Sequence, residues 1–150
     1  MNSRMLEFLG SERICVFAVE MLDGSPHAAV LHVANTKDPL IFVFHTHEGY
    51  KKTESLQGRA SVRASLAIGF KEGDGSKTFQ ADGVARLMNE SDQELRAAYL
   101  NKFPEKREKA AAPGIVFFCF MPTWWRFTDY SEAGKKTVYT SDGDATVSSI

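Results

Sequence analysis

The feature that most constrains this chain is a succession of short apolar runs, rich in aromatic and β-branched residues and broken by turn chemistry. Seven such runs span residues 14–21, 28–34, 40–46, 60–68, 78–88, 115–121 and 124–130. Asp23-Gly24-Ser25-Pro26 supplies a turn between the first two, and Gly73-Asp74-Gly75 supplies another between the fourth and fifth. Within the fourth run Val62, Ala64, Leu66 and Ile68 alternate with Arg63 and Ser65; within the fifth, Phe79, Ala81, Gly83, Ala85 and Leu87 alternate with Gln80, Asp82 and Arg86. Period-two alternation is the mark of half-buried strands. Short strands joined by hairpin signals predict an antiparallel barrel or sandwich and exclude repeated βαβ units.

Helices interrupt the strands. Ser3 can cap a first helix that places Met5, Leu6 and Leu9 on one face. A second is expected over 50–57, ended by Gly58, and a third begins at the capping box Ser91-Asp92-Gln93-Glu94 and is limited by Pro104. Residues 105–112 suit one more charged turn. From residue 139 the composition is that of a loop, so one domain is expected over 1–138 with a flexible C-terminal tail over 139–150. A chain of 150 residues buries enough surface for one self-sufficient core.

Charge and cysteine narrow the function classes. Eighteen Lys and Arg against nineteen Asp and Glu give a net charge of −1, which argues against a general nucleic-acid coat. Cys15 and Cys119 lie inside apolar runs and read as reduced, buried thiols. The first residues, with Glu7 and Glu12 and no long apolar core, do not read as a signal peptide, and no window is apolar enough to span a membrane. A cytoplasmic setting is expected.

Dinucleotide, Walker and nucleophile-elbow motifs are absent, and His47-Glu48 fails as a zincin because position 51 is Lys. All four histidines fall at 27, 32, 45 and 47. Alternation puts His45 and His47 on one strand face and His27 and His32 on opposite faces, with no carboxylate or cysteine at ligand spacing, so no metal site is expected. Charge is the sharper signal. Residues 49–63 hold Lys51, Lys52, Arg59 and Arg63 with one anion, Glu54, whereas residues 1–48 hold three cations and six anions. Two lysines at a helix start, directly after a strand ending in Thr46, offer a cradle for one phosphate; the competing reading is a solvated cationic helix face. Trp124 and Trp125 must point to opposite strand faces, one to the core and the other to a partner or flat ligand, although core and interface packing alone would account for both.

Taken in order, these segments resemble the FMN-binding split-barrel family typified by pyridoxamine 5′-phosphate oxidase, over most of residues 14–130. The resemblance rests on a helix before a hairpin, a strand ending in Phe44-His45-Thr46, a basic helix start at Gly49-Tyr50-Lys51-Lys52, a glycine-containing strand at Ala81-Asp82-Gly83-Val84-Ala85, a capped helix and a closing Trp-containing strand. Ala97-Ala98-Tyr99, Lys102-Phe103-Pro104, Phe127-Thr128-Asp129 and Gly134-Lys135-Lys136 are similar to a small bacterial subfamily without settled function. The resemblance implies a mainly β (α+β) fold, a six- to seven-stranded antiparallel split β-barrel with a few peripheral helices. It implies a homodimer with FMN at the interface and oxidoreductase chemistry on a small molecule, without nucleic acid or membrane partners.

By the same resemblance the flavin phosphate would rest on Thr46, Lys51 and Lys52, with Tyr50 at the same cofactor site. The preceding strand would contribute His27 and His32, Trp125 would lie near the ring, and Thr78 would reach in from the partner subunit. No residue stands out as a catalytic acid or base; His45 is the nearest candidate. The chain departs from the oxidase branch where His27 and His32 replace longer cations and Tyr50 replaces a small hydroxyl. The residues that bind the oxidase's substrate phosphate have no match, so pyridoxamine phosphate oxidation is not expected. The rival is a non-catalytic split barrel holding a deazaflavin, haem or another phosphorylated ligand, or one that has lost cofactor binding.

Overall fold

The alternating runs become strands of one antiparallel sheet. The computed structural model describes residues 1–150 as α1 (Ser3–Ser11), β1 (Ile14–Glu20), β2 (Pro26–His32), β3 (Ala34–Asn35), β4 (Phe42–His47), α2 (Lys51–Leu56), β5 (Val62–Ile68), β6 (Lys77–Leu87), α3 (Gln93–Lys102), a 3-10 turn (Pro104–Lys106), α4 (Arg107–Ala110), β7 (Ile115–Asp129), β8 (Lys135–Thr140) and β9 (Gly143–Ser149). Strand order is β2-β1-β5-β6-β7-β4-β3, with β8 on β7 and β9 on β8. The sheet curls until β2 approaches β4, which makes a split barrel with peripheral helices. No helix is long and apolar enough to cross a membrane.

The inner face of the barrel is aromatic. Phe17 lies 5.2 Å from Phe44 and 5.3 Å from Phe118, Phe44 stacks on Phe118 at 4.8 Å, and Phe42 meets Phe79 at 5.5 Å. A second cluster lies on the other face of β4 and β7, where Val43, Phe117 and Cys119 meet Leu95, Tyr99 and Phe103 beneath α3. Here β4 and β7 are covered on both faces, which is why residues 115–121 read as a continuous apolar run and not as an alternation.

Several local expectations are corrected. The last two apolar runs are one strand, β7, and Pro122 lies within it. Asp82 pairs with Trp124 and Gly83 with Pro122, leaving Thr123 as the extra residue of a bulge, one of the places where a sheet accommodates a proline. Glycine at 83 is obligatory, because a Cβ there would stand 2.1 Å from the Met121 carbonyl oxygen. Asn2, not Ser3, caps α1, its side-chain oxygen accepting from Met5 N at 3.0 Å. The capping box at Ser91 does not form. Asp92 takes the N-cap position but gives its carboxylate to the Arg86 guanidinium at 2.8 and 2.9 Å, while Ser91 bonds Asn89. That fork holds the Asp92 carboxyl down to about 2. Residues 139–150 are not an irregular tail: β8 and β9 form a hairpin on β7, anchored by Tyr139 stacked on Phe127 at 5.9 Å. Every residue of β9 is exposed, so its composition carries no strand-like alternation.

Candidate functional site

Where β4 leaves the barrel, Thr46 is the last inward-facing residue after Phe42 and Phe44, and only 6% of it is exposed. A tight loop then leads into α2. Tyr50 N donates to the His47 carbonyl at 3.1 Å, Thr53 Oγ1 donates to the same oxygen at 2.9 Å, and Glu48 N donates to the Gly114 carbonyl at 2.8 Å. The helix is shorter than the 50–57 expected, with Tyr50 as an N-cap that gives no side-chain bond. Six residues make a small dipole, so the charge of this region is that of its lysines. The N–H groups of Lys51 and Lys52 have no acceptor in the chain.

The four cations of the basic stretch separate by partner. Arg59 donates to Ser55 O at 2.8 Å, Ser55 Oγ at 2.7 Å and Glu20 O at 2.9 Å, so its charge docks α2 onto β1. Arg63 pairs with Glu20 on the outer sheet face. Lys51 is exposed and its charge reaches Asp23 in the β1–β2 turn. Lys52 is 7% exposed, meets no carboxylate or carbonyl, and lies with Nζ 4.6 Å from the centroid of the Tyr50 ring. Burial lowers its pKa below that of an ordinary lysine. Lys52 shares a helix face with Leu56, four residues on, which is part of the barrel core. A lysine ammonium without an anion, a threonine hydroxyl without a partner and two free N–H groups are a donor set for one compact anion.

Other expected residues divide between this end and elsewhere. His27 is opposite Val19, next to Glu20, whose carbonyl binds α2, and it is half-buried beside this end. His32 is opposite Ile14, roughly 17 Å further along the strand. It is exposed, with its imidazole edge-on to Phe103 at 5.4 Å. Thr78 lies nine residues back along β6 from Leu87, which is level with Phe118 and Phe44. That is roughly 30 Å of strand from the Thr46 end, so Thr78 cannot reach Lys52 within one chain. Trp125 turns toward the core and stacks on Phe79 at 6.2 Å, whereas Trp124 lies on the outer face beside Val16, Ala18 and Gln80.

His45 belongs to the second cluster. Its ring stands edge-on to Tyr99 at 5.0 Å and 5.7 Å from Phe117, and its Nδ1 is buried without a partner. Burial first, then the nearby Lys106, Lys109, His32 and Arg96, push its pKa down to about 4. It is neutral at pH 7 and is no ready proton donor there. The sequence reading missed His47, which organises the loop, and Lys102, whose Nζ donates to the carbonyls of Leu9 and Glu12. Histidine alternation singled out position 47 but could not give its acceptor role, and the partners of Lys102 are more than 80 residues distant.

The largest concavity, about 520 Å³, lies away from Lys52 on the outer sheet face, lined by Glu20, Arg63, Ser65, Asp82, Gly83 and Thr123. Its charges are spent internally, in the Glu20–Arg63 pair and in the bond from Ser65 Oγ to Asp82 at 2.8 Å. Cavity size and unsatisfied charge therefore point to different places, and charge is the more specific guide to an anion.

Residues 1–129 match the family model described as pyridoxamine 5′-phosphate oxidase. No protein of curated function matches the chain. Among solved structures, the chain is similar to a pyridoxamine 5′-phosphate oxidase-related, FMN binding protein from Nostoc punctiforme, at 15% identity and TM-score 0.62, over 98% of this chain and 90% of that one. It is similar to a haem binding protein from Mycobacterium smegmatis, at 17% identity and TM-score 0.66, over 89% of this chain but only 55% of that one. It is also similar to the haem storage protein HutZ from Vibrio cholerae, at 14% identity and TM-score 0.65, over 79% and 87%. At these identities the likeness is one of fold.

Proposed function

The chain belongs to the pyridoxamine 5′-phosphate oxidase family, and from that premise we propose that it is a cytoplasmic, homodimeric FMN-binding flavoprotein that transfers hydride or electrons to a small molecule. The observation that carries the reading is Lys52: a residue only 7% exposed, whose ammonium has no anion of its own, at the helix start where a phosphate would sit. Thr46 Oγ1 and the Lys51 and Lys52 N–H groups would complete the phosphate's acceptor demands, with Lys51 adding charge from the solvent side. His27, beside this end, would join them. When bound, FMN supplies the redox chemistry, and the protein's part is to hold and orient it. Tyr50, stacked over the Lys52 ammonium, would exclude water from one side of the phosphate.

The dimer is part of the same proposal. Thr78 contributes to a site near Lys52 only from a second copy, and the open sheet face that carries Val30, 64% exposed, and Trp124 gives such a copy an apolar surface. Titration of the purified protein with FMN, followed by flavin fluorescence, tests the reading. Wild type is expected to bind stoichiometrically, and Lys52→Ala to weaken affinity about tenfold to a hundredfold, the worth of a charge-assisted contact. Unchanged affinity in Lys52→Ala overturns the cradle. Titration with haemin is the control suggested by the haem-binding relatives: a Soret shift without flavin uptake would favour a non-catalytic haem carrier.

A further inference from the structure

His47 ends β4 and is exposed, yet the loop before α2 is built around its imidazole. Gly49 N donates to His47 Nδ1 at 3.0 Å. The ring lies 5.5 Å from that of Tyr50 and rests against Gly114, where a Cβ would stand 2.8 Å from Nε2. Gly114 therefore leaves the space the imidazole occupies, and its carbonyl accepts from Glu48 N in the same loop. The His47 backbone adds its carbonyl as acceptor for both Tyr50 N and Thr53 Oγ1. Since Nδ1 accepts a hydrogen bond, the ring proton is on Nε2.

We propose that His47 is a positioning residue for the anion cradle: by accepting the Gly49 N–H it fixes the turn that sets Tyr50 against the Lys52 ammonium. The proposal rests on the reading of that cradle as the FMN phosphate site. Residues 47–50 are exposed and bury almost no apolar surface, so hydrogen bonds and not packing hold their shape. A loop ordered before its ligand arrives spares the ligand the entropy of ordering it. Loss of the imidazole acceptor is therefore felt in affinity, with little effect on global stability.

Asparagine separates this role from simple bulk, because its Oδ1 can accept from the N–H two residues on, in the manner of an Asx turn. His47→Ala is expected to raise the dissociation constant for FMN about five- to tenfold, the worth of one hydrogen bond, and His47→Asn to restore it to within about twofold of wild type. Amide exchange at Gly49, measured without FMN, is expected to quicken in His47→Ala and to return toward the wild-type rate in His47→Asn, with the unfolding midpoint unchanged in both. Equal affinities in the two variants, or Gly49 exchange indifferent to the substitution, overturn the proposal. Lys52→Ala is titrated in parallel. If it weakens FMN while His47→Ala does not, the positioning role alone fails; if it too leaves affinity unchanged, the phosphate reading fails and takes this proposal with it.

Discussion

Lys52 and Lys102 are both lysines whose pKa burial lowers, but their surroundings differ in kind. Lys102, on the last turn of α3, donates to the carbonyls of Leu9 and Glu12 at the C-terminal end of α1, where a helix leaves acceptors unsatisfied and favours a cation. Burial pushes its pKa down to about 8, yet its bonds join two elements of the fold. Lys52 joins nothing: only the Tyr50 ring approaches its Nζ. A charge without a partner in the chain is free to pair with an anion from outside it. One lysine is completed by the chain and the other has no partner within it.

The largest expected effect comes from removing the incomplete one. Lys52→Met should lower FMN affinity by about a hundredfold, the upper range for a charge-assisted bond. The same substitution should leave the thermal midpoint of the ligand-free protein within about 2 °C of wild type, because the ammonium it removes bonds no other element of the fold. Lys102→Met is expected to behave in the opposite way. Two carbonyls lose their donor and α1 loses its tie to α3, so the unfolding free energy should fall by about 2 kcal/mol while FMN affinity stays within about twofold. Denaturant unfolding and flavin titration on both variants decide the matter. If Lys52→Met destabilises the protein as Lys102→Met does, Lys52 is a structural lysine and the contrast collapses.

His45 sharpens the comparison, because its Nδ1 is a buried polar atom that also lacks a partner. Its pKa near 4 is below the ordinary histidine value of about 6.5, so between those pH values the unfolded chain binds a proton that the folded chain does not. Stability should therefore fall as pH drops from about 6.5 toward 4, with a contribution of at most about 1.4 kcal/mol per pH unit. The cations that face it, Lys106, Lys109, His32 and Arg96, add to the cost of charging it. His45→Phe, packed against Tyr99 and Phe117, should flatten that acid limb in urea unfolding curves and leave FMN affinity unchanged. A loss of FMN binding in His45→Phe would move His45 from the second core into the site.

The strands of the barrel were legible where one face is wet. The alternation in residues 62–68 and 79–87 names the inner residues of β5 and β6 correctly, because period two has a physical cause in the pleat. It fails for β7, where both faces are covered and Pro122 looks like a break, since the bulge that accommodates it depends on Gly83 across the sheet. The capping box at Ser91 is a local rule overruled by Arg86, which takes the carboxylate of Asp92. The β8–β9 hairpin buries too little to impose any pattern on its residues. In the candidate site, Thr46, Lys51 and Lys52 fall together at one end of the barrel because they are neighbours in sequence. Which lysine is buried was also within reach, since Lys52 lies four residues before the core residue Leu56. The completion of Lys102 was not, because its acceptors are backbone oxygens from the other end of the chain.

The smallest effect is expected from the remaining member of the basic stretch that has a side-chain partner. Arg63 pairs with Glu20, but its side chain is 82% exposed and that of Glu20 is 29% exposed, so water competes for both ions. Exposed pairs of this kind contribute about 0.2–1 kcal/mol, and salt screens them. Arg63→Gln keeps most of the side chain's length and should change the unfolding free energy by less than about 0.5 kcal/mol, with no change in FMN affinity. The same formal charge thus has three expected outcomes within twelve residues: loss of ligand at Lys52, displacement of a helix at Arg59, and almost nothing at Arg63. If Arg63→Gln weakens FMN as strongly as Lys52→Met, the phosphate is held by the diffuse field of the stretch and burial is irrelevant to it. Titrations at low and high salt separate the two cases, because a diffuse field is screened within about 10 Å at 0.1 M salt whereas a desolvated contact is largely spared.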